Sequence, residues 1–399
     1  MNEWKKCKLS DVSLKFAMGP FGSNIKAENF TNEGVPVIRG TNLNFNRFVG
    51  GDFVYLTEKK ADELKSSNCY PGDLVFTHRG TIGQVGLIPD NIYSRYVISQ
   101  SGMKVSVNPG LIDNRFLFYF FKSEIGQHEL LQHESQVGVP SISNPLTSLK
   151  SVSLFLPPLP EQRAIASVLS SLDDKIDLLH RQNKTLESMA ETLFRQWFIE
   201  EADEGWEEKS LLEFIDLVGG GTPKTEIDQY WNGEIPWLAG GDIASNHKSF
   251  IQTAAKTITE SGLNNSSAKL LPMYSTVISA RGTVGKYCLL AEPMAFSQSN
   301  YGVLPRLDEC FFFTYLLINH VVEELQSSAY GSVFDTITTN TFRDIKVSMP
   351  ANHVIQNFEP TISPYFNKML SNKNQISTLE TLRDTLLPKL MSGEVRMDI

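Results

Sequence analysis

Cysteine is scarce in this sequence, and long apolar runs are missing. The 399 residues include four cysteines, which stand far apart without a CxxC pair or a histidine at metal-ligand spacing. This distribution argues against a zinc site and a disulfide framework, and it is typical of a reduced, cytoplasmic protein. The sequence has neither an apolar run of membrane-spanning length nor an apolar N-terminal signal. We therefore expect no membrane span and no secretion.

Positive charge is also in short supply. Lys and Arg number 36 against 45 Asp and Glu, which leaves a net charge of −9, and no segment is strongly basic. A protein that holds the phosphate backbone of nucleic acid usually presents a basic surface to it. A chain of this composition is therefore not expected to hold DNA tightly by itself, and a partner would have to supply part of the attraction to phosphate.

Motifs for catalysis and cofactor binding are missing as well. The sequence has no GxxxxGK[ST] loop for a nucleoside triphosphate, no HExxH, and no cluster of Cys and His. The glycine run VGGGTPK at 218–224 lacks the GxGxxG spacing and downstream acid of a dinucleotide site, so we interpret it as a loop. We expect a non-catalytic chain with no metal and no cofactor of its own.

The sequence contains an internal duplication. The stretch RGTIG at 79–83 recurs as RGTVG at 281–285, and the segments around it repeat in the same order. Thus GVPVIRG at 34–40 corresponds to GEIPWLAGGD at 233–242. The offset between matched segments drifts slightly, as insertions and deletions in loops would produce. A repeat of this length predicts two copies of one domain.

Each copy is predicted to be a mixed α/β domain, which makes the whole chain α+β. Short runs rich in β-branched and aromatic residues alternate with Gly, Asn and Pro clusters, the pattern of strands joined by turns. One aromatic-rich run per copy, RFLFYFFKS at 115–123 and CFFFTYLLINHVV at 310–322, is long enough for a buried helix. The RGTxG stretch follows a strand-like run in each copy, so we expect it to form a turn.

A long helical segment follows each copy. The first, at 161–198, contains no Gly or Pro and is rich in Leu, Ala, Lys, Glu and Gln. In both segments, residues spaced alternately by four and three form a heptad seam, which favours packing along a partner helix. The first seam comprises Ile165, Leu169, Leu172, Ile176, Leu179, Asn183, Leu186, Ala190, Leu193 and Trp197. The second comprises Phe358, Ile362, Tyr365, Met369, Asn372, Ile376, Leu379, Arg383, Leu386 and Leu390.

The two seams predict an antiparallel coiled coil between the globular domains, arranged with pseudo-twofold symmetry. Asn183 and Asn372 each place a polar residue within a seam, a feature that sets helix register at some loss of stability. Pro360, Pro364 and Pro388 are expected to limit the second regular helix at both ends. The alternative is that each helix packs only on its own globular domain.

Four stretches resemble one protein family. LPPLPEQRAIASVLSSLDDKIDLL at 156–179 and TLLPKLMSGEV at 385–395 are similar to the helical segments of specificity (S) subunits of type I restriction-modification systems. GPFGSNIK at 19–26 and GGGTPKTEIDQYWNGEIPW at 219–237 resemble two openings of target-recognition domains in that family. The resemblance covers essentially the whole chain.

The family also carries a Gly-Asp dipeptide before the strand that leads to RGTxG. Gly72 and Asp73 match it in the first copy, whereas the second copy has Met273 and Tyr274 in that place. The resemblance implies four segments. These are target-recognition domains at 1–159 and 201–352 and helical spacers at 160–200 and 353–399.

The resemblance further implies a division of labour between subunits. Each recognition domain is expected to read one half of a bipartite target in double-stranded DNA, while the helices set the spacer and dock two methyltransferase subunits. Methylation of adenine N6 with S-adenosylmethionine would belong to those partners. Cleavage of unmodified DNA with ATP and Mg²⁺ would belong to added restriction subunits.

Arg79 and Arg281 are matched candidates for contact with DNA. An arginine in such a turn can bind guanine O6 and N7, bind phosphate, or make structural bonds within the turn, and the sequence leaves these roles open. Polar residues that differ between the copies are better candidates for sequence recognition. The DNA-binding candidates are Ser23, Asn24, Lys26, Arg39, Asn42, Arg79, Thr81, Gln136, Ser141, Thr222, Lys224, Asp242, Arg281, Thr283, Ser332 and Thr338.

Two other functions compete with DNA recognition by a subunit. A fusion enzyme with its own methyltransferase and nuclease would need a longer chain and the motifs of both enzymes. A two-domain coiled-coil adaptor that binds a non-DNA ligand is the remaining alternative. Co-purification with an adenine-N6 methyltransferase would separate the specificity subunit from the adaptor.

Overall fold

The computed structural model describes residues 4–43, 47–136, 138–203, 205–330 and 335–397. The chain divides into two compact units. Unit 1 comprises Met1–Asp177 and Ser377–Ile399, and unit 2 comprises Leu178–Ile376. Each unit therefore contains one copy of the duplicated domain together with part of both long helices.

Unit 1 is built on two main sheets. Its strands are β1 (Lys5–Lys8), β2 (Ser13–Met18), β3 (Phe30–Thr31), β4 (Val35–Ile38), β5 (Val54–Leu56), β6 (Asn68–Cys69), β7 (Leu74–Thr77), β8 (Val85–Leu87), β9 (Tyr96–Ile98), β10 (Gly102–Val107), β11 (Glu134–Ser135), β12 (Ser141–Ile142) and β13 (Ser153–Leu156). Its short helices are α1 (Glu58–Glu63), α2 (Asn114–Lys122), α3 (Glu124–Leu131) and α4 (Pro145–Ser151). The sheet orders are β2-β10-β7-β8 and β3-β5-β4-β9-β6, with β4 and β9 parallel.

Unit 2 repeats this plan. The first long helix, α5 (Leu159–Arg195), leads into it through a π-helical turn at Gln196–Glu200. Its strands are β14 (Glu208–Ser210), β15 (Ile215–Gly219), β16 (Trp231–Leu238), β17 (Phe250–Ile251), β18 (Lys256–Ile258), β19 (Leu270–Leu271), β20 (Thr276–Ser279), β21 (Tyr287–Leu290), β22 (Met294–Phe296), β23 (Asn300–Pro305) and β24 (Lys346–Ser348). Its helices are α6 (Gly240–Ser245), α7 (Glu260–Asn264), α8 (Phe311–Tyr330), α9 (Thr339–Asp344) and α10 (Asn352–Ser392), the second long helix.

The strand order confirms the duplication and the α+β fold. In unit 2 the sheets run β15-β23-β20-β21-β17 and β18-β16-β22-β19. The first four strands of the first sheet follow the same chain order as β2-β10-β7-β8, and the second sheet matches β5-β4-β9-β6. The parallel pair β16–β22 also matches β4–β9. The two copies therefore share one topology, with an additional edge strand in each.

The aromatic runs form buried helices, as predicted. Helix α2 buries a series of aromatic side chains, and α8 does the same in unit 2. Both helices are fixed at their N-terminal ends by a long helix. The side-chain oxygen of Gln162 on α5 accepts a hydrogen bond from Asp113 N at 2.9 Å, and Glu359 on α10 accepts from Phe312 N at 3.0 Å and Phe313 N at 2.8 Å.

The structure corrects the alignment of the Gly-Asp dipeptide. The residues equivalent to Gly72 and Asp73 are Tyr274 and Ser275, one position later than Met273 and Tyr274. Gly72 has φ 86° and Tyr274 has φ 69°, so both occupy the left-handed region. Their amides donate to the matching carbonyls of the next strand, from Gly72 N to Ile88 O and from Tyr274 N to Leu290 O. The tyrosine therefore adopts a strained conformation that glycine adopts freely.

The ion pair behind this turn is present in one copy alone. In unit 1 the buried Asp73 accepts from Lys104 Nζ at 2.6 Å. Strand pairing places Ser275 and Gly302 at the corresponding positions of unit 2. Both charges are replaced together, which avoids leaving a single buried charge without its partner.

The prediction that prolines limit the second long helix was wrong. Helix α10 runs without a break through Pro360, Pro364 and Pro388. All three prolines are exposed, whereas the packed face of the helix carries Phe358, Ile362 and other apolar residues. Burial of that face outweighs the loss of the backbone hydrogen bonds that proline cannot donate.

The two long helices contact each other within each unit. In unit 1, Arg396, just beyond α10, pairs with Glu161 near the start of α5, and Arg383 pairs with Asp173. This order is antiparallel. The contacts rule out the alternative in which each helix packs only on its own globular domain. All the predicted seam residues of both helices are buried or half-buried.

The two seam asparagines meet in unit 2. Asn372 Nδ2 donates to Asn183 Oδ1 at 2.7 Å, and Asn183 Nδ2 donates to the carbonyl oxygen of Met369 at 3.2 Å. The Trp197 and Phe358 rings, 5.4 Å apart between centroids, continue the antiparallel order. The asparagine pair can form these hydrogen bonds in one helix register, which fits a role in setting that register, while the buried Asn372 Oδ1 has no partner within the described residues.

Candidate nucleic-acid interface

The RGTxG stretch is a hairpin turn with the same backbone conformation in both units. It joins the antiparallel strands β7 and β8 in unit 1 and β20 and β21 in unit 2. Gly80 and Gly83 have φ of 86° and 83°, and Gly282 and Gly285 have φ of 75° and 77°. Two left-handed positions separated by two residues explain why both glycines recur.

The turn presents its arginine to solvent. Arg79 and Arg281 are exposed, and within the described residues neither guanidinium group has a hydrogen bond or ion pair. Burial lowers the pKa of the neighbouring His78 and favours its neutral form. The positive charge of the unit 1 turn is therefore that of Arg79, which is available to an anionic or hydrogen-bonding ligand.

A glutamine from the helical layer holds each turn. Gln127 Nε2 on α3 donates to Gly83 O at 3.0 Å, and Gln326 Nε2 on α8 donates to Val284 O at 3.0 Å. A Cβ at Gly83 would lie 2.7 Å from Gln127 Oε1, and one at Gly285 would lie 2.4 Å from Gln326 Cγ. The second glycine of the motif therefore also makes room for its glutamine.

Sequence reasoning missed these two glutamines. They lie in the middle of α3 and in the last turns of α8, two helices whose remaining residues differ widely between the copies. A signal was present, because Gln127 and Gln326 are separated by nearly the same offset as the two RGTxG stretches. The contact itself becomes visible only when the fold brings helix and turn together.

The loop after the first central strand lies against the turn in both units. In unit 1 a Cβ at Gly40 would lie 3.2 Å from Gln84 Oε1, directly behind the turn. In unit 2 the Thr283 hydroxyl donates to Gly240 O at 3.2 Å. Arg39 lies on the loop of unit 1 and Asp242 in the first turn of α6, two residues after Gly240, so the fold brings both of them close to the arginine turn.

The opening loop of each domain reaches the same place beside a turn with the sequence SQS, residues 99–101 in unit 1 and 297–299 in unit 2. In unit 1, His78 N donates to Ser101 O, and Gly19 N donates to Gly102 O, both at 2.9 Å. In unit 2, Ala280 N donates to Ser299 O at 2.9 Å, which corresponds to the bond between His78 and Ser101, and Gly221 N donates to Phe296 O at 3.0 Å, just before Ser297. The opening loops with Asn24, Lys26, Thr222 and Lys224 therefore begin beside the arginine turns.

A fourth segment completes each interface. Gly80 N donates to Pro140 O at 2.9 Å, next to Ser141. In unit 2, Ile337 N donates to Ala280 O at 3.1 Å, next to Thr338. Three chain segments thus converge on the turn in each unit, which makes four interface segments with the turn itself. They are 19–26, 39–43, 79–83 and 138–142 in unit 1, and 219–224, 239–242, 281–285 and 335–338 in unit 2.

Some candidates are committed to bonds within the protein. Asn42 is 1% exposed. Its side chain donates to Gly50 O and Asp52 O and accepts from Arg39 N, which uses both amide hydrogens and engages the amide oxygen. The Asp242 carboxylate accepts from Ala239 N at 2.8 Å and from Ala255 N at 3.1 Å. Donation to a base by the buried Asn42 would require these bonds to break, whereas each Asp242 oxygen can still accept one more hydrogen bond.

Other candidates present their side chains to solvent. Thr338 is exposed, although its hydroxyl accepts from Thr341 N at the start of α9. The remaining exposed candidates are Asn24, Lys26, Arg39, Arg79, Thr81, Gln136, Lys224 and Arg281. Ser141, Thr222 and Thr283 are half-buried, as is Asp242, and the Thr283 hydroxyl is bonded to Gly240 O. The Ser23 side chain and the whole of Ser332 lie outside what the structure describes.

The described residues were also searched for metal sites and for membrane-spanning helices. They contain no group of three or more His, Cys, Asp and Glu side chains that could hold a metal ion. Across the same ranges, no helix combines the length and apolar character needed to span a membrane.

Comparisons with known proteins cover nearly the whole chain. The model of the family described as type I restriction modification DNA specificity domain matches residues 1–188 and 203–381. The MjaIX specificity subunit of Methanocaldococcus jannaschii, a type I restriction enzyme subunit, is 26% identical, with 86% of this chain and 82% of that protein covered. The HindI specificity subunit of Haemophilus influenzae is 24% identical, with 99% and 100% covered. The crystal structure of a type I S subunit from M. genitalium has a TM-score of 0.63 at 18% identity, covers 99% of this chain and 96% of its own, and shows a shared fold.

Proposed function

This chain belongs to the family of type I restriction-modification DNA specificity domains and recognises specific DNA sequences, and we propose that each of its two units reads one half of a bipartite target. The duplicated interface is the observation that supports this division. In each unit three matching segments surround the same arginine turn, while most of the side chains on those segments differ. A common backbone arrangement that carries different side chains suits two domains that recognise different DNA sequences.

Under this proposal the chain contributes recognition, and its partners contribute chemistry. The two long helices dock two methyltransferase subunits and set the spacer between the half-sites. S-adenosylmethionine is bound by those subunits, and restriction subunits use ATP and Mg²⁺ to cleave unmodified DNA. The proposed site of action is the cytoplasm. No observation on the described residues favours the alternative of an adaptor for a non-DNA ligand.

A domain exchange tests the proposal directly. Residues 1–155 are replaced by the equivalent domain of a relative with a known target, and the hybrid is expressed with the methyltransferase subunit. Long-read mapping of N6-methyladenine should then show one half of the methylated sequence changed and the other half retained. A hybrid that methylates a target with both halves altered, or with neither altered, would contradict the proposal that the two units recognise the half-sites independently.

A further inference from the structure

Phe21 is the most exposed of the large apolar side chains in the described residues, with 79% of its surface accessible. It lies in the opening loop of unit 1. Two residues earlier, Gly19 is tied to the interface, since a Cβ at Gly19 would lie 1.8 Å from Ser99 O. The loop therefore leaves the interface at a fixed point and places Phe21 outside the core, where the fold gives the ring no apolar partner.

A second exposed apolar residue belongs to the same interface. Val139 is 52% exposed and precedes Pro140, whose carbonyl accepts the hydrogen bond from Gly80 N. Two of the four interface segments of unit 1 therefore present an apolar side chain to solvent. A single exposed apolar residue needs no explanation, but two on one proposed binding surface indicate an apolar ligand component.

Unit 2 lacks this feature in its described residues. Its opening loop carries Gly220, Gly221 and Thr222 where unit 1 carries the Phe21 segment. The exposed large apolar side chains of unit 2, such as Ile199 and Leu270, lie outside the four interface segments. The apolar element therefore distinguishes one unit from the other, as expected of a feature that contributes to one half-site only.

We propose that Phe21 contacts the apolar surface of a base, either a ring face or a thymine methyl group, in the half-site read by unit 1. This inference rests on the proposed function. Aromatic rings bind DNA through stacking on exposed base faces, and thymine presents its methyl group in the major groove. The charged phosphate groups offer no comparable surface to a phenyl ring.

The test uses the full chain assembled with its methyltransferase subunit and the target found by methylation mapping. Phe21→Ala should lower affinity for the specific duplex about tenfold, because stacking of one base on an aromatic ring has an effect of this order. The salt dependence of binding should not change, since no charge is removed. Phe21→Tyr should restore most of the affinity.

Leu14→Ala is the matched control. Leu14 is 68% exposed on β2 and lies outside the four interface segments. Its substitution should leave affinity unchanged, and thermal unfolding of both variants should match that of the parent chain. Equal losses from Phe21→Ala and Leu14→Ala, or unchanged affinity in Phe21→Ala, would overturn the assignment.

Two probes distinguish the two possible contacts of Phe21, a base ring face and a thymine methyl group. Insertion between bases should change the fluorescence of 2-aminopurine at one position of the half-site, with the parent chain but not with Phe21→Ala. Contact with thymine should appear as weaker binding when uracil replaces one thymine, again with the parent chain only. A loss of affinity with no response to either probe would reject the base contact. If the parent complex shows no sequence-specific binding at all, the proposed function fails instead.

Discussion

Arg79 and Arg281 present a free guanidinium from the same turn in two units that are proposed to read different sequences. A side chain common to both readers suits the component of DNA that is common to all sequences, which is the phosphate backbone. We therefore expect these arginines to position the duplex, with base recognition coming from the segments that differ.

Substitution of Arg79 by Ala should weaken specific and non-specific DNA binding by similar factors. One phosphate contact fewer should also reduce the slope of log affinity against log salt by about one. Arg79→Lys retains the charge and should keep most of the affinity. Titrations of the assembled complex at several salt concentrations measure both quantities, and a loss confined to the specific duplex, with an altered target base, would show base reading instead.

Residue chemistry predicted the candidate site better than it predicted individual roles. The recurring RGTxG stretch correctly located the turn, because its glycines are required by backbone conformation. Asn42 and Asp242 were chosen as polar loop residues, yet their side chains cap backbone groups. Asn and Asp are equally suited to both tasks, so the sequence could not separate them.

At the scale of elements, helices and strands with a clear sequence pattern could be predicted. Local features that are unfavourable by themselves and are stabilised by contacts elsewhere in the fold could not. The strands around RGTxG follow from short runs rich in β-branched and aromatic residues between turn residues, and both long helices follow from heptad patterns. The passage of α10 through Pro360, Pro364 and Pro388 does not, since it depends on how much apolar surface the opposite face buries. The glycine-like conformation of Tyr274 depends likewise on strand pairing that only the folded chain reveals.

The contact between α10 and α8 should make the stability of unit 2 depend on pH. Burial raises the pKa of Glu359 to about 7 from an ordinary value of 4.5, against the effect of the two backbone N–H groups it accepts. A raised folded-state pKa means that stability is fully present below about 4.5 and declines as pH rises through about 7. Burial and the nearby Glu191 raise the pKa of Glu187 to about 7 as well, with the same sign.

Glu359→Gln removes the titrating group while keeping one oxygen to accept a hydrogen bond, as Gln162 does in unit 1. Relative to the parent chain, this variant should gain stability as pH rises from about 4.5 to 7, with Glu187 still contributing the remaining pH dependence. Urea unfolding at several pH values in this window measures the difference. Exposed Glu213 supplies the control, because Glu213→Gln should leave the pH profile unchanged.

At the scale of the whole molecule, the balance of charge limits what the chain does alone. The net charge is −9, and the described residues include no cluster suited to holding a metal. The exposed arginines of the two turns supply local positive charge, but the total opposes binding to a polyanion at a distance. We therefore expect the partner subunits to supply much of the phosphate attraction.

The purified chain should consequently bind its own target weakly and transfer no methyl group. Addition of the methyltransferase subunit should raise affinity and introduce N6 methylation when S-adenosylmethionine is present. Mobility-shift titrations and transfer of a labelled methyl group measure these two effects. Methyl transfer by the chain without a partner would contradict the division of labour proposed here.

The bonds that assemble the unit 1 interface have a consequence for inheritance. The hydrogen bonds from Gly19 to Gly102, His78 to Ser101, Gly80 to Pro140 and Gln127 to Gly83 all join residues between positions 19 and 140. A genetic recombination event with both breakpoints outside this span would transfer the turn together with all the residues that form these hydrogen bonds. A breakpoint inside the span would separate a loop from its hydrogen-bond partner. New specificities are therefore expected to arise by exchange of the whole span. Gene sequences of diverging strains should show recombination breakpoints concentrated on either side of it.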